Sequence, residues 1–337
     1  MNRTRPLNML WLQSGGCGGC NLSLLGAEAP TLFTLFEGAG VKILWHPAFS
    51  LESNGDARAI VDDVLSGKTR LDIFCLEGSV LRGPDGTGGF HRQSGSGVPM
   101  MEIIDQLASI ADHVLGIGSC AAFGGITAGG GNPAEACGLQ FDDEGTGGLL
   151  GENFRSKSGL PVINIAGCPI HPDWVSGTLM QIARGEFDET FMDTLGRPKS
   201  YVNHLVHHGC PRNEFYEYKA SAKQHCQLGC LMEHMGCMGT QAQADCNTRL
   251  WNGNGSCVRG GYACINCTAP GFQEPGHTFV ETPKIAGIPR GLPMDMPKAW
   301  FVALASLAKA ATPKRLEKNA VADHIQVPPV KQSGKKS

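Results

Sequence analysis

The chain has 337 residues, enough for one large domain or two modest ones with an ample core. Charged residues make up 18% and the net charge is −3, which excludes a disordered chain and a strongly basic nucleic-acid binder. No apolar run reaches the roughly 18 to 20 residues that a membrane-spanning helix needs, and the start "MNRTRPLNMLWLQ" offers neither a signal-peptide core nor a twin-arginine pair. A cytoplasmic location is expected, and in that compartment 14 cysteines point to metal or redox chemistry rather than structural disulfides.

Along the first half, short apolar runs alternate with segments of helical period. The runs are "NMLWLQ" (8–13), "VKILWH" (41–46), "LDIFCLE" (71–77), "HVLGIGS" (113–119) and "PVINIAG" (161–167), and "MMEIIDQLASIADH" (100–113) exemplifies the helical spacing. This alternation predicts an α/β fold with a doubly wound parallel sheet. Cys17 and Cys20 follow the first predicted strand, Cys120 the fourth and Cys168 the fifth, so all four fall at the carboxyl edge, where such sheets place their sites. Four convergent thiolates suit an iron–sulfur cubane or zinc. Cys17 and Cys20 alone also fit a redox dithiol, a reading that leaves Cys120 and Cys168 unused.

Past residue 200 the texture changes to Gly, Asn and Pro with few apolar runs, and residues 201–290 hold eight of the cysteines. We expect a first domain over 1–195, a loop-rich metal-dependent domain over 196–295, and a C-terminal helix with a basic tail over 296–337. Two four-ligand groups stand out in the second field: His207, Cys210, Cys230 and Cys237, then Cys246, Cys257, Cys264 and Cys267. Zinc would satisfy either group, but it explains less well a first site gathered from three distant strand ends. Cys75, Cys137 and Cys226 remain; Cys75 lies inside a predicted strand, and Cys226 rivals Cys230 as a ligand. His204, His208, His225 and His234 read as hydrogen-bonding neighbours of the ligands. Residues 296–311 read as one amphipathic helix. Residues 312–337, with six Lys or Arg against two acids, read as a flexible or partner-dependent tail.

The ordered motifs "SGGCGGC", "GSCAAFGGI", "AGCPIHPDW", "HHGCPRNE", "GCLMEHMGCMG" and "CINC" resemble those of the small subunit of nickel–iron hydrogenases, over about residues 8–290. The resemblance implies a flavodoxin-like domain carrying a proximal 4Fe–4S cluster on Cys17, Cys20, Cys120 and Cys168. A distal 4Fe–4S cluster would sit on His207, Cys210, Cys230 and Cys237, the last two being seven apart where the family usually has six. A medial cluster would sit on Cys246, Cys264 and Cys267. Cys257 stands near a position where many members have proline and a 3Fe–4S medial cluster, so a 4Fe–4S centre is expected here. The same resemblance implies that no catalytic residue lies in this chain, because hydrogen is split at the nickel–iron site of a large-subunit partner. An assembly as a dimer of heterodimers is expected, with neither nucleic acid nor a transmembrane segment. The runs "LWLQSGGCGGC", "HHGCPRNEFYEYKAS" and "MPKAWFVALASLAKAATPKR" look most like the regulatory branch, which implies a hydrogen sensor signalling to a histidine kinase, with the C-terminal tail as docking segment. The alternative is a cytosolic uptake hydrogenase feeding a respiratory acceptor.

Overall fold

The computed structural model describes residues 5–28, 30–274, 276, 278–286 and 288–329. The chain divides into two compact units, Met1–Val202 with Cys267–Glu274, and Asn203–Asn266 with Pro275–Ser337.

In the first unit, five strands form one sheet: β1 (Leu7–Gln13), β2 (Val41–Trp45), β3 (Ile73–Glu77), β4 (His113–Ile117) and β5 (Ile163–Ile165). Their order is β2-β1-β3-β4-β5 and every pairing is parallel, the flavodoxin-like arrangement expected from the sequence. Strands covered on both faces read as continuous apolar runs rather than alternating ones, and β3 is buried at every position. Helices α1 (Gly19–Leu25), α2 (Leu32–Ala39), α3 (Asn54–Leu65), α4 (Met100–Ile110), α5 (Gly118–Phe123) and α6 (Pro172–Arg184) accompany it. In α4 the buried residues Met100, Ile103, Ile104, Leu107 and Ala108 recur at helical spacing, a stripe that packs in one cluster with Leu10, Phe74 and Val114 of the sheet. Each fully buried Leu or Ile there contributes about 1.5–3 kcal/mol. The hydroxyl of Ser53 caps α3 by accepting the Asp56 amide at 3.3 Å, and α6 opens on Pro172 and stops at left-handed Gly185.

The register matters for function. Gln13 pairs with Glu77, Glu77 with Ile117, and Ile117 with Ile165. The four strands therefore end level, and the residues that follow them start from one edge.

The second unit has little regular structure. Its longest described helices are α7 (Lys298–Ala310) and α8 (Lys314–Ala320), and its buried clusters are small, such as Ala222, Leu231 and Ala263. Helix α7 fulfils the expected 296–311 helix. The flexible tail expected from 312 onward is corrected over 312–329. Leu316 and Ala320 are buried with Ala220, the Gly229 amide donates to Ala320 O at 3.0 Å, and Asn319 accepts the amides of Gln326 and Val327 at 3.0 and 2.9 Å. Lys314 and Lys318 are exposed and Arg315 pairs with Glu214, while Leu316 and Asn319 anchor the stretch, a division that net composition hides. Residues 330–337 lie outside the described residues. No helix among the described residues is long and apolar enough to cross a membrane.

Candidate metal centres

The level strand ends gather the first set. Cys17 and Cys20 follow β1, Cys120 lies in α5 directly after β4, and Cys168 follows β5. Ser119 joins two of these segments: its amide donates to Gly167 O at 3.0 Å and its hydroxyl accepts the Gly167 amide at 2.9 Å. The same hydroxyl donates to Cys267 O, tying the returning stretch 267–274 to this edge. Buried Glu77, at the end of β3, accepts the amides of Cys20 and Asn21 at 3.1 and 3.2 Å and the Trp11 indole N–H at 3.3 Å. Burial pushes its carboxyl upward against the pull of those donors. Glu77 thus ties the start of α1, and with it Cys20, to the sheet.

Backbone fills the remaining space around the sulfurs. Gly118 has φ +84, and a Cβ there would lie 2.6 Å from the Cys20 Sγ; at Gly125, φ +55, a Cβ would lie 2.9 Å from the Cys120 Sγ.

Burial raises the thiols of Cys20, Cys120 and Cys168, the last to about 12. Their neighbours add to it: Cys20 feels Cys120 and Cys168, Cys120 feels Cys17, and Cys168 feels Cys267, Cys120 and Cys17. The polar groups of Ile126 and Thr127 near the Cys120 sulfur work the other way. Four thiolates this close repel one another, and a bound cationic centre removes that obstacle. The donor set therefore fits an iron–sulfur group.

In the second unit, Cys210, Cys230 and Cys237 interact mutually, and with His207 they line one small cavity. His207 Nε2 meets Asp295 Oδ2 at 3.1 Å, and His208 Nε2 meets the same oxygen at 2.8 Å. With Nε2 committed to a carboxylate, the buried Nδ1 of His207 keeps its lone pair and has no hydrogen-bond partner among the described residues. An orphaned imidazole nitrogen among three thiols fits an iron ligand. Half-buried Arg212 donates to Gly229 O at 2.7 Å and Val258 O at 3.2 Å and stands within electrostatic reach of Cys210, Cys230, Cys237 and Cys226. Its guanidinium offsets thiolate charge that burial would otherwise oppose.

The third set divides between the units: Cys246, Cys257 and Cys264 belong to the second, Cys267 to the first. Ser256 donates to Asn247 Oδ1 at 2.6 Å, which joins the chain segments bearing Cys257 and Cys246. The Cys264 amide donates to the Cys237 sulfur at 3.3 Å, and Cys257 is within electrostatic reach of Cys237. The remaining cysteines are ordinary by comparison. Cys75 and Cys137 are fully buried, and Cys226 is exposed. His234 lies 3.8 Å from Glu233, and His225 packs near Tyr262 and Phe279. Sequence reasoning misses Glu77, Arg212 and Asp295. Only Glu77 carries a local signal, a carboxylate closing the apolar run "LDIFC".

Residues 17–182 match the model for the 20 kDa subunit of NADH ubiquinone oxidoreductase, and residues 202–280 match the C-terminal model of the NiFe/NiFeSe hydrogenase small subunit. The chain is 30% identical over 288 residues to the F420 non-reducing hydrogenase II small subunit of Methanosarcina mazei, covering 79% of this chain and 73% of that one. It is 29% identical to the periplasmic [NiFeSe] hydrogenase small subunit of Desulfomicrobium baculatum, covering 79% and 84%. Among solved structures, the actinobacterial-type NiFe-hydrogenase from Ralstonia eutropha H16 superposes with a TM-score of 0.74 at 28% identity, covering 98% of this chain and 96% of that one. The sheet with its edge thiols and the second cysteine field thus each find a counterpart, and the chain belongs to the small subunits of nickel–iron hydrogenases, the electron-transferring, iron–sulfur-bearing partners of the large subunit that holds the nickel–iron site.

Proposed function

We propose that this chain serves a hydrogen-sensing hydrogenase and binds three four-iron clusters. Cys17, Cys20, Cys120 and Cys168 hold the proximal one, Cys246, Cys257, Cys264 and Cys267 the medial one, and His207, Cys210, Cys230 and Cys237 the distal one. Such clusters, when bound, supply one-electron redox centres for the electrons that hydrogen oxidation releases in the large subunit. The observation that carries the reading is the convergence of free, mutually repelling thiols at two places, with no disulfide among the cysteines. Around them the protein places charge with care. Amides donate to the sulfurs of Cys210 and Cys237, Arg212 faces the distal thiols, and neutral His207 replaces one anionic ligand. The free buried thiols of Cys75 and Cys137 agree with a reducing, cytoplasmic location.

The sensor assignment rests on the sequence runs that look like the regulatory branch and on one structural feature. Helix α7 exposes Trp300 (65%), Leu304 (49%) and Leu307 (67%), spaced along one face, while Phe301 anchors it. This ridge suits a protein partner such as a histidine kinase, in an assembly built as a dimer of heterodimers. Deleting residues 312–337 would remove packed α8, so surface substitutions test the idea better. Anaerobic pull-downs from the native host should recover the large subunit with both the native chain and a Trp300→Ser/Leu304→Ser/Leu307→Ser variant, and a kinase with the native chain alone. Electron carriers without a kinase would instead indicate an uptake enzyme, and absence of the large subunit would sink the reading. Iron analysis of this chain's clusters should give about twelve atoms per chain. Replacing Cys257 with Ser should produce a three-iron EPR signal, whereas Cys226→Ser should not. A three-iron signal already present in the native protein would refute the medial assignment.

A further inference from the structure

Two histidines and a carboxylate meet in the second unit in an arrangement that cluster ligation only half explains. Asp295 Oδ2 lies 3.1 Å from His207 Nε2 and 2.8 Å from His208 Nε2, and the three atoms all fall within 4.8 Å of one another. Cluster ligation calls on the other nitrogen of His207, the buried Nδ1, and makes no use of His208. The backbone holds the three residues in place. The His207 amide donates to Gly239 O at 3.0 Å, the His208 amide to Leu205 O at 3.0 Å, and the Met294 amide, next to Asp295, to Thr240 O at 3.2 Å. Among the described residues the ion pairs of Asp295 are with these two histidines, and no lysine or arginine competes for its charge. His208 and Asp295 are exposed, so the group opens to solvent on the side away from the thiols.

We propose that His207, His208 and Asp295 bind one zinc ion, with His207 bridging it to the distal cluster. The inference rests on the reading of His207 as a distal-cluster ligand. Two imidazole nitrogens and a carboxylate oxygen are the donors of open zinc sites, which keep a fourth position for water. Tetrahedral bonds of about 2.0–2.1 Å put ligand atoms about 3.3 Å apart, so both contacts of Asp295 need open only slightly. Calcium and magnesium fit less well, because they take oxygen ligands and two of these donors are nitrogen. The Nε2 proton of His207 passes to solvent, and the imidazolate so formed ligates both metals. Zinc brings two positive charges for the one proton lost. The added charge favours the reduced cluster, and zinc has no redox chemistry of its own to pass the electron on. An occupied site therefore acts as a brake on the relay.

The test uses the oxidised, anaerobically purified heterodimer, dialysed free of zinc, and equilibrium dialysis with zinc chloride. Saturable binding of one ion per heterodimer is expected at this site. His208→Gln and Asp295→Asn should each raise its dissociation constant at least tenfold, roughly 1.4 kcal/mol or more. His234, 3.8 Å from Glu233, supplies the control, and His234→Gln should leave the constant unchanged. In an EPR-monitored titration, zinc should shift the distal midpoint potential upward in the native heterodimer and produce no such shift in Asp295→Asn. Native affinity in both site variants marks adventitious zinc and overturns the proposal, as does bound zinc that leaves the native potential unmoved. A normal distal-cluster signal without saturable zinc binding rejects the zinc site alone. Absence of that signal rejects the distal assignment and the bridge together.

Discussion

The two units hold their cysteines by opposite means. In the first, a sheet with a large apolar core ends four strands level, and the cysteines follow at that edge in short turns and at the starts of α1 and α5, with Glu77 and Ser119 stitching these segments together. In the second, buried clusters are small and the segments bearing Cys210, Cys230, Cys237 and Cys264 run through loops. A scaffold that folds on its own can present a site, whereas a loop-rich unit needs the bound group as part of its core.

Removing the iron should break this comparison most forcefully. After anaerobic chelation, hydrogen exchange should approach the unfolded limit over residues 204–266, while amides of β1, β3 and β4 remain protected. Equal loss of protection in both units would show that the sheet also depends on its cluster.

The first unit has its own point of failure, acid. His46 is fully buried; burial lowers its imidazole to about 4, and its Nε2 has no partner among the described residues. A histidine depressed in the folded state contributes stability that is complete above the unfolded value of about 6.5. That contribution shrinks as pH falls from there to about 4, because the unfolded chain takes up the proton first; the full span amounts to about 3 kcal/mol. Urea unfolding read from β1 peptides should show this slope, and His46→Leu should flatten it. An unchanged slope would place the acid sensitivity elsewhere.

A smaller change sharpens the contrast at the site itself. Gly118→Ala meets both a left-handed φ and the Cys20 sulfur, so it should destabilise the first unit by about 1–3 kcal/mol and lower proximal iron occupancy. Gly40→Ala, at φ +63 in open space, should weaken the fold by about 1 kcal/mol and leave iron unchanged. Equal iron contents in the two variants would show that the edge tolerates displacement.

Where the sequence was legible, the reason is local. Buried parallel strands announce themselves as apolar runs, and the position of Cys17, Cys20, Cys120 and Cys168 after those runs placed them at one edge. The C-terminal stretch misled because its folding depends on two residues, Leu316 and Asn319, within a basic sequence. Cys267 sits three residues after Cys264 yet belongs to the other unit, something spacing alone does not reveal. Arg212 and Asp295 act through space, and Asp295 lies 88 positions from the histidine it meets. A periodic pattern reports what a segment packs against, not which distant carboxylate closes on it.

Asp295 offers the finest test. Its single oxygen Oδ2 meets both His207 and His208, so its charge reaches His207, the distal ligand proposed above, through one hydrogen bond. A carboxylate on the far nitrogen makes an imidazole a better electron donor and adds negative charge, and both effects favour the oxidised cluster. Asp295→Asn should therefore raise the distal midpoint potential, by about 20–60 mV, up to a tenfold shift for one electron. His208→Gln keeps the carboxylate facing His207 and should move the potential less. An EPR-monitored titration reads both. If Asp295→Asn left the potential in place while iron content stayed full, the carboxylate would be holding the loop rather than tuning the cluster, and the second unit would owe its redox properties to its thiols and Arg212 alone.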